Sequence, residues 1–120
     1  MLKILSFLCA VGFSSAALAA SSYRCFAPDI GEEGLSLEWT VEDGNMFPPY
    51  IRRGGPAGVI DLYPKNIEGF WFRDDMLLIA LRWRNPKSDI VVKAHREGDI
   101  YSGELQHFGQ TYPVTCAQKN

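Results

Sequence analysis

The chain has 120 residues and a formal net charge of −2. That length holds one domain and excludes a large multi-domain enzyme. The acidic balance argues against a general nucleic-acid binder, which needs a basic footprint to displace counterions, and against attraction to anionic membranes.

The first element is not part of the fold. Lys3, the apolar run 4–13 and small residues ending in Ala17-Leu18-Ala19 match a cleaved secretory signal peptide at 1–19, leaving a single exported domain at 20–120. Removing Lys3 from the 12 basic residues leaves 11 against 14 acidic ones, a net charge of −3 for the mature chain. The apolar run is about half the ~20 residues that a transmembrane helix requires, so an integral membrane protein is disfavoured. Cys9 lies in the leader, and its context Ser6-Phe7-Leu8 lacks the small residues expected before a lipid-attached cysteine. The destination is the periplasm if the host is Gram-negative, and otherwise the exterior.

Cys25 and Cys116 remain, an even pair at opposite ends of an exported chain, and this favours one disulfide. Neither has the CxxC spacing or the neighbouring histidine that a redox or metal role needs.

Period-2 alternation dominates the mature chain. In 34–42, Leu35, Leu37, Trp39 and Val41 take one side and Ser36, Glu38, Thr40 and Glu42 the other, the pattern of a half-buried strand. Further strands are expected at 23–27, 57–63, 67–73, 76–84, 89–97, 99–106 and 110–116, divided by Asp74-Asp75, Asn85-Pro86-Lys87-Ser88 and Gly98. The segment 44–56, with Met46-Phe47-Pro48-Pro49-Tyr50, reads as a long irregular connection.

Antiparallel partners must share a face, which tests these assignments. A loop at 85–88 sets Arg84 opposite Asp89, Trp83 opposite Ile90, Leu81 opposite Val92 and Ile79 opposite Ala94. A turn at Gly98 carries that face on to Tyr101, Gly103 and Leu105. A turn at Phe108-Gly109 sets Leu105 opposite Tyr112, Gly103 opposite Val114 and Tyr101 opposite Cys116, so Cys116 points inward to meet Cys25. The expectation is an all-β antiparallel meander of about eight strands, closed or nearly closed into a barrel by a first-to-last-strand disulfide. A two-sheet sandwich uses the same alternation and is the alternative. In plan, the barrel resembles the small disulfide-tied barrels of periplasmic lysozyme inhibitors; none of their inhibitory-loop motifs maps onto these residues, so no site residues carry over.

Catalytic signatures are missing: the chain has no GxSxG, HExxH or Walker loop, and no cofactor is implied. Gly54-Gly55-Pro56-Ala57-Gly58 precedes an alternating apolar stretch rather than the helix a phosphate cradle needs, so it reads as a turn. His95 falls on outward parity near Leu78, and His107 lies beside a turn. The acids sit mostly in turns or on outward parity; inward-facing carboxylates such as Asp61 could serve a loop-assembled enzyme only if His107 joined them in one cleft.

The hairpin 67–84 is anomalous because both of its faces are apolar. Phe70, Phe72, Leu77, Ile79, Leu81 and Trp83 share one side, and Ile67, Trp71, Met76, Leu78 and Ala80 the other. A barrel buries only one face, so its own chain, a partner or a ligand must cover the second. The candidate partner-contact residues are Trp71, Met76 and Leu78, rimmed by Arg82, Arg73, Arg52 and Arg53, with Phe47 and Tyr50 from the adjoining segment. Either the segment 44–56 folds across this face, or the face meets another protein or a second copy. The functional expectation is a non-enzymatic exported binding protein acting through protein–protein contact, of inhibitor or immunity type. A small apolar-ligand carrier is the alternative, and a loop-assembled enzyme a further one.

Overall fold

The computed structural model describes residues 20–42, 47–56, 58–73, 75–83 and 89–119. The leader assignment at 1–19, Met46, and the turn at 85–88 lie outside the described residues. Nine strands form one antiparallel sheet: β1 (Ala20–Ala27), β2 (Leu35–Glu42), β3 (Ile51–Gly54), β4 (Ile60–Leu62), β5 (Ile67–Arg73), β6 (Met76–Leu81), β7 (Ile90–Glu97), β8 (Ile100–His107) and β9 (Gln110–Gln118). The ladder runs β4-β3-β2-β1-β9-β8-β7-β6-β5 and curls into a nearly closed barrel.

Alternation places the core. Leu35, Leu37 and Trp39 of β2, Leu77, Ile79 and Leu81 of β6, Ile90 and Val92 of β7, Leu105 of β8 and Val114 of β9 all point inward and are buried. The barrel is therefore filled by side chains rather than hollow at these levels. At one end the filling is aromatic. The ring of Trp39 stacks on Tyr23 at 5.8 Å and meets Phe70 and Phe72 edge-on at the same distance, and Phe72 reaches Tyr101 at 5.3 Å. These rings tie β5 to β1, β2 and β8, with which it shares no ladder.

First and last strands pair as expected. Cys25 lies directly opposite Cys116, their Cα atoms 3.9 Å apart, and the disulfide joins them. The free edges fall elsewhere. With β1 and β9 in mid-ladder, the sheet ends at β4 and β5, which are consecutive in sequence yet unpaired among the described residues. Strand β4 has only three residues, and Pro64 starts a single 3-10 turn, Pro64–Asn66, that turns the chain away before a hairpin forms.

Four details depart from the sequence reading. Ile51–Gly54, expected within an irregular connection, is a strand paired with both β2 and β4. Ile67 is buried and not on the outer face, because a bulge between Ile67 and Gly69 restores it to inward parity opposite Leu81. Leu81 faces Ile90 and Ile79 faces Val92, two residues away from the expected register. The cause lies at buried Asp89: its amide donates to the Leu81 carbonyl at 2.7 Å, and its Oδ2 accepts from the Trp83 amide at 2.8 Å. These bonds end β6 at Leu81 and lengthen the connection; because the slip is even, every side chain keeps its face. Asp61, expected inward, points outward beside Arg52. The pairings Leu105 with Tyr112, Gly103 with Val114 and Tyr101 with Cys116 are as expected.

Candidate interaction surface

The outer face of β5, β6 and β7 is built in rows by register. Trp71 lies opposite Leu78, which lies opposite Lys93; Arg73 lies opposite Met76, which lies opposite His95; Gly69 lies opposite Ala80, which lies opposite Val91. Trp71 is 44% exposed and Met76 47% exposed, with Leu78, Ala80 and Val91 half-buried between the strands. The apolar side chains are contiguous, and no described residue folds across them. The guanidinium of Arg73 stacks 4.0 Å from the centre of the Trp71 ring, a cation–π contact that leaves the cation at the patch's rim.

The segment 47–50 meets the barrel next to this face without covering it. Phe47 is exposed, and its ring approaches Phe70 edge-on at 5.9 Å. Between them lies a cavity of about 230 Å³ lined by Phe47, Phe70, Trp71, Phe72 and Arg73.

The other expected rim residues are elsewhere. Arg53 is 2% exposed: it points into the barrel from β3, donates from Nη1 to the Gly58 carbonyl at 3.2 Å, and lies 5.9 Å from the Trp83 ring. Arg52 projects outward on β3 and binds both carboxylate oxygens of Asp61, at 2.8 and 3.2 Å. The hydrogen bond from Arg52 holds the Asp61 carboxyl below its ordinary pKa, and Asp61 in turn raises that of Arg52. Tyr50 joins this second cluster, 5.9 Å from both the Tyr63 ring and the Arg52 guanidinium. Arg82 is paired with Glu68 at 3.0 Å. The sequence-derived set therefore splits. Trp71, Met76 and Leu78 form one surface with Phe47 at its edge, Tyr50 and Arg52 belong to another on β3–β4, and Arg53 is interior. Lys93 and Val91 were missed although outward parity beside Leu78 marks them; the two-residue slip moves these pairings.

A polar cleft of about 200 Å³ lies over β1–β3, lined by Ser22, Glu38, Thr40, Tyr50, Arg52 and Lys119 among others. Its groups satisfy one another: the Ser22 and Thr40 hydroxyls bond at 2.8 Å, and Glu38 takes Lys119 at 2.9 Å and Arg24 at 3.3 Å. His95 is exposed, 3.4 Å from Glu97, while the His107 ring packs on Phe108. Asp61 is held by Arg52 on the outer face, so the His107–Asp61 arrangement considered from sequence is not built. Among the described residues no group of three His, Cys, Asp or Glu side chains stands close enough to hold a metal, and no helix is long and apolar enough to cross a membrane. No protein-family model, curated protein or solved structure matches this chain.

Proposed function

We propose that this chain is an exported, non-enzymatic binding protein that grips another protein with the outer face of β5–β6. The observation that carries the reading is the pair of exposed side chains Trp71 and Met76, with half-buried Leu78 between the strands, on a strand pair whose opposite face already supplies the core. An indole half open to solvent beside a methionine and an arginine is the composition that interface hot spots favour. The disulfide suits an oxidising compartment, and small size with a covalent tie suits an inhibitor or immunity protein of the cell envelope. The close-packed interior favours surface docking over the carriage of an apolar ligand inside the barrel.

The test is photo-crosslinking in the exporting host, with a benzophenone amino acid at position 78 and a control at position 111 on the outer face of β9. A discrete adduct from position 78 only, weakened by Trp71→Ala, is expected. Absence of any adduct at 78, or a Trp71→Ala protein that loses most of its stability because its own chain covers the ring, overturns the proposal.

A further inference from the structure

We infer that the partner engages the free edge of β5 by strand addition, as an extended apolar segment with a carboxylate beside Arg73; this rests on the docking reading above and specifies its partner. The cavity beside Phe47 is lined by four consecutive residues of one strand, Phe70, Trp71, Phe72 and Arg73. Side chains of a strand alternate faces, so a cavity bordered by both parities runs along the strand's edge. The opposite edge of β5 is occupied by β6, which makes this the open one. Alternate backbone N–H and C=O groups there have no ladder partner among the described strands, and such edges recruit extended peptides. The other end of the sheet, β4, is three residues against the seven of β5 and does not pair with it. Phe47 forms the far wall, so an added strand has a backbone template on one side and a ring on the other.

Charge selects the end of the segment beside Arg73. Arg24, Arg52, Arg82 and Lys119 each have a carboxylate partner. Arg73, the last residue of β5, has none among the described residues. A second copy that adds its own β5 offers no match, because the sole acid of that strand, Glu68, is already taken by Arg82. A partner with a carboxylate beside Arg73 on an otherwise apolar strand satisfies that cation while its alternate side chains meet Phe47 and Trp71.

The experiment uses two blocked heptapeptides sharing the core Val-Thr-Val-Thr-Val, one flanked by glutamates and one by lysines, added to the oxidised mature protein. Affinity is read by fluorescence anisotropy, and the β5 edge by amide hydrogen exchange over 67–73. The glutamate peptide is expected to bind at least roughly tenfold tighter and to slow exchange in β5, with Arg73→Glu reversing the preference. Arg73 is exposed, so its replacement leaves the core intact. No binding at about millimolar peptide, equal binding of both peptides, or β5 amides already protected without peptide overturns strand addition. A position-78 crosslink with an unprotected β5 removes strand addition and leaves the docking reading standing; loss of that crosslink removes the docking reading itself.

Discussion

Gly103 shows how the approach of two strands restricts one inward position to glycine. A Cβ built there collides with the Lys93 carbonyl oxygen and comes within 2.6 Å of the Ala94 Cα, so β7 and β8 approach too closely for any side chain. Both contacts are backbone, which no rotamer change relieves. Gly103→Ala is therefore expected to cost about 3 kcal/mol, read as a lower urea midpoint with unchanged slope. An unchanged midpoint would show that the two strands separate freely. The sequence places Gly103 on the inward face through its alternation with Tyr101 and Leu105, yet nothing in it reports how near the next backbone lies. The same gap hides Arg53. An arginine at an inward position reads as a break in a strand pattern, and its burial against Trp83 becomes visible only once β3 is paired with β2 and β4.

Among the elements, β3 and β4 form the least secured end of the ladder, and the Arg52–Asp61 pair sits across them. Hydrogen bonding by Arg52 lowers the Asp61 pKa in the folded state. A carboxyl with a lower folded pKa adds stability above its unfolded value, about 3.9, and loses it as pH falls through the folded value. Arg52→Gln is thus expected to separate from wild type in urea midpoint at about pH 7 and to coincide with it near pH 2. The separation should also shrink in about 1 M salt, because the pair is open to solvent. A gap that persists at low pH would mean that Arg52 acts through packing on Tyr50 instead. Element legibility follows the same physics. Strands such as β5, whose bounds match the expected 67–73, and the pairings of β7 with β8 and β8 with β9, are readable because tight turns fix the register. Register is not legible across the connection before β7, where the Asp89 amide bonds Leu81 and its carboxylate accepts from the Trp83 amide, nor at the bulge near Glu68, for which the sequence carries no marker. The outer patch was legible in Trp71, Met76 and Leu78 because two-faced apolarity needs only parity; its cationic rim needed the pairing of distant strands.

For the molecule as a whole, the disulfide and the free edges act at different places. Cys25–Cys116 staples β1 to β9 in mid-ladder, while β4 and β5 end the sheet on the far side of the barrel. Closing a loop with a sequence separation of 91 residues constrains the unfolded chain by about 4 to 5 kcal/mol in the chain-entropy treatment. That constraint is felt only by motions that unfold the whole domain. Opening of the β5 edge leaves both cysteines in place, so its free energy does not include the cross-link. Native-state hydrogen exchange of wild type beside the double variant Cys25→Ser, Cys116→Ser separates the two. Amides in β8 and β9 that exchange through global unfolding should speed up by roughly a thousandfold, as a loss of about 4 kcal/mol requires. Amides of β5 that exchange through local opening should hardly change. Uniform acceleration would mean that the edge opens only with the whole barrel, and a partner could not then enter there without unfolding it. Acceleration confined to β8, β9 and their neighbours would mean that the domain keeps a locally accessible edge while its centre is covalently held. A domain that accepts a strand at its edge requires that combination if it is to stay folded.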